Sequence, residues 1–454
     1  MKKLGKYYRY QSFHFLGING VSMQGLAKFC AINGKNVTGS DLVEPKNPER
    51  LKNLKIEFFK GHDKANVKNA DLVIYTSAVN EKNVELVQAK KKKIPVIKRS
   101  KLLGDVISEH AYSIGVSGSH GKTTATAMIA EILIGAKKSP TVFLGGESPD
   151  YGNFRLGSGE YVVAEACEFQ KNLLDISTKI SVILNLDNDH MDSYKDMEDM
   201  VETFNKFIGQ NVAVINADDP NSKGVGNLST VTFGIEKKAN YYATGIRNEG
   251  GKYSFNACAY NHVHGRIKLS VLGLHNVYNA LSAFAVGDLL NIPFEIIKQA
   301  LERFRGVKRR QEFLGERNGV EYFADYAHHP REIGATLSCF NQLEKIAVIF
   351  QPHTYSRTEI LMEEFICVLE DVEDLAIYKT YPAREQFKEE GDGKTLYERL
   401  IKRRESLGRG KKTTYLENEK ELLEFLLGEN NFNKVLFLGA GDVYEHAKSV
   451  IKGL

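Results

Sequence analysis

Tryptophan is missing from the 454 residues and cysteine occurs only five times. The first absence excludes nothing. The second does: Cys30, Cys167, Cys258, Cys339 and Cys367 are odd in number and widely scattered, and no two have zinc or redox spacing. A disulfide framework is therefore not expected, and a reducing, cytoplasmic setting is the simplest one. No apolar run approaches the length of a membrane span, so no membrane partner is expected. Met1-Lys2-Lys3 runs into tyrosines, Arg9 and Gln11 rather than into a signal-peptide core. An excess of one charge is lacking too: 61 Lys and Arg against 57 Asp and Glu leave a net +4, too little to argue for nucleic acid. The run Lys90 to Lys93 reads as a solvated helix end. Internal repeats and low-complexity segments are absent. What is present, 42% hydrophobic and 26% charged residues, is the composition of a globular chain long enough for about three domains.

The stretch Ser113 to Met128 organises the rest. An apolar, β-prone run from Ala111 to Val116 enters a loop of glycine and serine. The loop closes with Gly121-Lys122-Thr123-Thr124, and a helical pattern follows through Met128, Ile129, Ile132 and Leu133. This order places backbone N–H groups and a helix N-terminus around a phosphate. Lys122 is expected to reach the terminal phosphates, and the Thr123 hydroxyl to hold a magnesium ion. The spacing is not the usual Walker one. Val116 stands where the first glycine belongs, with Gly115 and Gly118 beside it.

Upstream, Phe13 to Leu16 is a short strand that runs into Gly17-Ile18-Asn19-Gly20-Val21-Ser22-Met23. A helix with Met23, Leu26, Ala27, Phe29 and Cys30 apolar follows, and then a strand from Asn36 to Ser40 that ends at Asp41. This is the pattern of half a Rossmann unit, with an acid about twenty positions on. Ser22 takes the place of the third glycine. Further strands are expected at Asp71–Tyr75 and Pro95–Ile97, with a helix at Asn83–Lys90. Such alternation implies a parallel sheet whose carboxyl edge takes a diphosphate-bearing ligand, either NAD or a nucleotide sugar.

After the phosphate loop, a strand at Tyr161–Ala164 ends in Glu165-Ala166-Cys167-Glu168. Another at Ser181–Leu184 ends in Asn185-Leu186-Asp187-Asn188-Asp189-His190-Met191-Asp192. Both ends carry metal-capable side chains and should share an edge with the phosphate loop. Glu165 is an ordinary magnesium ligand and His190 an unusual one. A strand at Val212–Asn216 and a β-rich stretch from Val231 to Leu272 come next. His275 then opens a helix on which Asn276 and Asn279, at i and i+3, share a face suited to a purine. In the last third, strands are expected at Val320–Ala324, Ala347–Phe350, Leu375–Lys379 and Val435–Leu438, again a Rossmann-like pattern. They end in Asp325-Tyr326-Ala327-His328-His329-Pro330, Gln351-Pro352-His353-Thr354-Tyr355-Ser356-Arg357-Thr358, Tyr381-Pro382-Ala383-Arg384-Glu385 and Gly439-Ala440-Gly441-Asp442.

The series Gly118-Ser119-His120-Gly121-Lys122-Thr123, Glu165, Asn185…Asp189-His190, His275-Asn276…Asn279, Tyr326-Ala327-His328-His329-Pro330 and Gln351-Pro352-His353 resembles the Mur ligases, cytoplasmic enzymes that build the peptide stem of cell-wall precursors. The resemblance covers essentially the whole chain. It is narrowest toward the branch that adds the first amino acid, L-alanine, to UDP-N-acetylmuramate. It implies an α/β fold of three domains: an N-terminal Rossmann-like domain (1–107) for the UDP sugar, a central P-loop ATPase-like parallel sheet with added strands (108–308), and a C-terminal Rossmann-like domain (309–454) for the amino acid.

The resemblance also implies roles. ATP is expected on Gly118, Ser119, His120, Gly121, Lys122, Thr123 and Thr124, with Asn276 and Asn279 at the adenine, Arg310 at the phosphate and Asp325 at the ribose. Mg2+, with Mn2+ as the alternative, is expected on Thr123, Glu165 and His190. The UDP sugar is expected on Gly17, Asn19, Gly20, Val21, Ser22, Met23, Asp41 and Ser77, and the alanine near His353 and Arg357. Lys122, His190 and Arg310 would be catalytic, with His328 or His329 taking a proton from the amine. Ser22, Thr354 and Ala324 depart from the pattern, where glycine, arginine and an acid are frequent. No counterpart is assigned to the carbamylated lysine of later ligases. Small molecules are the expected partners, and the chain is expected to be a monomer or homodimer. Three alternatives stay open: a ligase of the same fold that recycles murein by attaching a preformed tripeptide, a dinucleotide-dependent oxidoreductase, and a silent nucleotide-binding protein.

Overall fold

A computed structural model of the chain describes residues 4–45, 47–187, 193–340, 345–383, 385–408, 411–428 and 432–453. Among these residues the strands form three sheets. The first contains β1 (Ser12–Leu16), β2 (Asn36–Asp41), β3 (Glu57–Lys60), β4 (Leu72–Tyr75) and β5 (Val96–Lys98), in the order β3-β2-β1-β4-β5. Every pairing is parallel. The order reverses beside β1, which opens a crevice at the carboxyl edge. The helix α1 (Val21–Ile32) buries Met23, Leu26, Ala27, Phe29 and Cys30, the stripe expected from its period. Each fully buried Leu or Phe of this kind stabilises the fold by about 1.5–3 kcal/mol. The helices α2 (Pro48–Lys52), α3 (Val84–Lys91) and α4 (Arg99–Ser108) complete the layers. Lys90 to Lys93 are exposed at the end of α3, as expected.

The second sheet contains β6 (Tyr112–Ser117), β7 (Thr141–Ser148), β8 (Gly152–Arg155), β9 (Tyr161–Glu165), β10 (Ile180–Ile183) and β11 (Val212–Asn216). It continues with β12 (Thr230–Gly234), β13 (Tyr241–Glu249), β14 (Lys252–Ala259) and β15 (His262–Leu272). Their order is β15-β14-β13-β12-β11-β10-β6-β9-β7-β8. β9 and β10 flank β6 in parallel, so their ends share one edge with the loop that follows β6. The third sheet contains β16 (Glu312–Arg317), β17 (Val320–Asp325), β18 (Ile346–Phe350), β19 (Asp374–Tyr378), β20 (Thr413–Leu416) and β21 (Lys434–Leu438). Its order is β16-β17-β21-β18-β19-β20, with β16 antiparallel to β17 and the other pairings parallel.

These sheets give the expected three-domain α/β architecture. Contacts divide the chain into two compact units. One holds residues 1–247, 254–270 and 275–305, and the other 306–454 with 248–253 and 271–274. The first two sheets thus share a unit. Among the described residues no helix is long and apolar enough to cross a membrane. The five cysteines are free thiols.

Candidate active site

β6 buries Ile114 and Val116 and delivers the chain to a tight loop ahead of α5 (Lys122–Gly135). Gly118 and Gly121 have φ of +132° and +82°. A Cβ at Gly118 would stand 2.9 Å from the Asn185 carbonyl oxygen, and one at Gly121 2.7 Å from Asn279 Oδ1. Both positions therefore require glycine. Lys122 Nζ donates to the carbonyls of Gly118 (2.5 Å) and Ser119 (2.9 Å) and pairs with Glu168 Oε1 at 2.9 Å. Burial pulls the ammonium pKa down, but Glu168, then Cys167 and Glu165, outweigh it and the net shift is upward. Lys122 is thus a fixed positive charge at the N-terminus of a helix, beside the buried Thr123 and Thr124.

The loop after β10 holds this turn from the side. Asn185 accepts from Ser119 N (3.0 Å) through its carbonyl and from His120 N (2.8 Å) through Oδ1. Asp187 N donates to Ser119 Oγ at 2.8 Å, and His120 Nε2 lies 3.3 Å from Asp187 Oδ2. The expected shared edge therefore exists as far as Asp187. His190, a little further on, lies outside the described residues.

Glu165 ends β9 opposite Val116 of β6, and its Oε1 accepts from Gly145 N at 2.5 Å. Among the described residues no three His, Cys, Asp or Glu side chains group as a metal site. Asn276 and Asn279, one turn apart at the start of the helix His275–Leu289, are buried and joined by a 2.9 Å bond from Asn279 Nδ2 to Asn276 Oδ1. Asn279 packs against Gly121, beside the phosphate loop.

In the first sheet, Gly17 turns at φ +79°, where a Cβ would strike Thr76 at 2.6 Å. Asp41 accepts from Asn19 N (3.1 Å) and Leu42 N (2.8 Å), so the acid at the end of β2 holds the glycine loop. Gly39 of β2 has no side chain in the way of Ile18, which lets the glycine loop sit close against that strand. Gly20 caps α1, Val21, Ser22 and Met23 form its first turn, and Ser77 lies in the turn after β4.

The third sheet carries a separate cluster at its carboxyl edge. His328 follows β17, His353 follows β18 and Tyr381 follows β19. The rings of His328 and His353 are 5.7 Å apart, and those of His353 and Tyr381 stack at 5.5 Å. His328 Nδ1 lies 2.8 Å from the Tyr326 carbonyl, which can only accept. Its proton is therefore on Nδ1, and Nε2 keeps the lone pair. His353 is the reverse: Arg357 Nη1 donates to its Nδ1 at 3.2 Å. Burial lowers the pKa of both, and His328 and Arg357 help bring His353 down to about 4. His329 supplies the cap residue of the helix Pro330–Leu337. Asp325 accepts from the N–H groups of Gln311 (2.8 Å) and Ala327 (2.7 Å). Arg310 lies 5.4 Å from the Tyr326 ring, between Arg309 and Gln311, both at positive φ.

Family models match three consecutive segments: "Mur ligase family, catalytic domain" over residues 12–111, "Mur ligase middle domain" over 116–287, and "Mur ligase, glutamate ligase domain" over 309–441. UDP-N-acetylmuramate--L-alanine ligase of Acetivibrio thermocellus is 37% identical over 98% of this chain and 96% of its own. The enzyme of that name from Aquifex aeolicus is 37% identical over 98% of both chains. The chain belongs to the Mur ligase family. A solved UDP-N-acetylmuramate-alanine ligase from Thermotoga maritima superposes with a TM-score of 0.84 at 31% identity, covering 98% of this chain and 99% of that one. A murein peptide ligase from Psychrobacter arcticus, at 20% identity and a TM-score of 0.69 over 97% of this chain and 98% of that one, shares the fold.

Within this Mur ligase chain two residues at the site have partners that the sequence did not indicate. Glu168, the partner of Lys122, has no spacing that announces an ion pair across 46 residues. Arg309 donates to the carbonyls of Gly439 (3.0 Å) and Gly441 (2.8 Å) and packs over Tyr326 and Tyr444. The family resemblance pointed to its neighbour Arg310 and not to Arg309.

Proposed function

We propose that this chain is an ATP-dependent ligase joining the amine of L-alanine to the carboxylate of UDP-N-acetylmuramate in the cytoplasm. The observation that carries the reading is near full-length similarity to enzymes bearing that name, at 37–39% identity. The phosphate loop adds chemical support. Its two obligatory glycines and Lys122 fit a nucleotide triphosphate. Thr123 and Glu165 offer hard oxygens at one sheet edge, as Mg2+ or Mn2+ requires, and His190 completes the proposed set. The metal supplies charge neutralisation on the phosphates.

A carboxylate cannot lose oxide, so amide formation needs activation. A carboxylate oxygen attacks the γ-phosphorus, ADP departs, and an acyl phosphate forms. Lys122 and Arg310 balance charge on the transferring group. The alanine amine, held near His353 and Arg357, attacks the acyl carbon. His328 Nε2, the lone pair left open by the Tyr326 bond, takes the amine proton, and phosphate leaves as the amide forms. Asn276, Asn279 and Asp325 hold the nucleoside, and the Gly17–Met23 loop with Asp41 and Ser77 holds the UDP sugar.

The test is phosphate release from ATP with UDP-N-acetylmuramate and a panel of L-alanine, L-serine, glycine and the stem tripeptide. Release driven best by L-alanine is the expected result. Release driven by the tripeptide alone would make the chain a recycling ligase, and none with any acceptor would overturn the ligase reading.

A further inference from the structure

β7 pairs with β9 over Thr141–Phe143 and then overruns the end of that strand. Where it does so, Gly145 N donates to Glu165, and a Cβ at Gly145 would stand 2.5 Å from Glu165 Oε2. The chain then turns and returns as β8, antiparallel to β7. The hairpin leans on α1. Phe143 and Phe154 pack beside Gly25 of that helix, and their rings lie 5.8 and 6.2 Å from Phe29 and 5.2 Å from each other. One hairpin therefore touches both the edge where Glu165 ends β9 and the helix that begins at the sugar-nucleotide loop.

At the centre of this contact is Asn153 of β8, a polar residue only 3% exposed. Its Nδ2 donates to the Val21 carbonyl at 2.6 Å, and its Oδ1 accepts from Lys28 Nζ at 2.8 Å. A carbonyl only accepts and an ammonium only donates, so the orientation of the amide is set. Val21 and Lys28 are two helical turns apart on one face of α1. The single amide therefore fixes both the start of the helix and its axial position. Arg50 pairs with Glu147 of β7 at 2.9 Å and adds a second tie.

We infer that Asn153 is a positioning residue for the ligase reaction, holding the sugar-nucleotide loop in register with the phosphoryl-transfer edge of the central sheet. This rests on the reading of Gly17–Met23 as the UDP-sugar loop. Both polar ends of Asn153 are engaged by α1, so its role is geometry rather than ligand contact. Misplacing reacting groups by about 1 Å costs on the order of 100-fold in rate.

Asn153→Asp keeps the shape and the Lys28 partner but loses the N–H to Val21. The expected result is a kcat lower by roughly 10- to 100-fold, with the UDP-N-acetylmuramate dissociation constant by calorimetry and the ATP KM within about threefold. A purely structural role would not produce that split. A kcat within about twofold of wild type overturns the proposal, and so does a rate loss matched by weaker sugar-nucleotide binding. Should that variant fail to fold, Lys28→Ala reads the same contact from its other end, and an unchanged kcat there is equally fatal. If the wild-type protein does not bind UDP-N-acetylmuramate, the loop reading falls and the positioning role with it. Wild-type binding with unchanged variant kcat sinks the positioning role alone.

Discussion

Lys122 is both a candidate catalyst and half of a buried ion pair. Its side chain is 17% exposed and that of Glu168 2%. Removing one partner of such a pair costs about 3–5 kcal/mol, because the other charge stays in a poorly solvated site. Lys122→Met is therefore expected to lower the melting temperature as well as abolish ADP release. Adding Glu168→Gln removes the stranded charge and should recover most of the stability while ADP release stays absent. Melting curves and single-turnover ADP release on the two variants check this. A double variant that regained release would show that the ammonium has no part in phosphoryl transfer. The sequence exposes Lys122 through its glycine loop, a local pattern. It hides Glu168, because that pairing depends on β9 lying beside β6.

At the scale of elements, the strands and helices expected around the two glycine loops form with boundaries shifted by a residue or so. Strong periodicity and turn chemistry decide them locally. β3, the β7–β8 hairpin, β16 and β20 were not legible. β3, β8 and β20 are only four residues long, and β7 carries Gly145-Gly146. Such segments become strands because neighbours offer hydrogen bonds, not because of their own propensity. β2 shows how a strand can shape a site: Gly39 lets Ile18 of the glycine loop sit where a Cβ would meet Ile18 Cδ1 at 2.4 Å and the Phe15 carbonyl oxygen at 2.9 Å. Gly39→Ala should push that loop outward, costing about 1–3 kcal/mol of overpacking strain. The UDP-N-acetylmuramate dissociation constant is expected to rise, with that of ATP unchanged. Calorimetry with both ligands checks it, and equal weakening of both would mean general destabilisation instead.

For the molecule as a whole, two groups at the edge of the third sheet, the buried Asp325 and the half-buried His353, set opposing pH dependences. Burial pushes Asp325 up to about 6, with Arg310 and the N–H groups of Ala327 and Gln311 pulling only part of the way back. Its contribution is full below the unfolded value of 3.8 and is lost as pH rises through about 6. Burial, with His328 and Arg357, lowers His353 to about 4, so its contribution is full above 6.5 and is lost as pH falls toward 4. In the wild type the two slopes oppose each other between about pH 4 and 6. Asp325→Asn removes the first, so the variant's stability should climb more steeply with pH across that range, whatever its absolute loss. Denaturant unfolding at several pH values measures the slopes, and parallel curves for variant and wild type would refute the assignment.

By itself the sequence determined the class of fold, the two glycine loops, the order of the family's motifs and the residues that end the main strands. All of these are written in short-range periodicity and in residue types whose backbone needs are strict. The tertiary structure alone decided that Glu168 faces Lys122, that Asn279 rests on Gly121, that the His328 lone pair lies on Nε2, and that a hairpin carries Asn153 to Val21. The His328 bond is local, but the turn that makes it is set by the end of β17; the others join groups far apart along the chain, and the order of strands and helices, not spacing, brings them together.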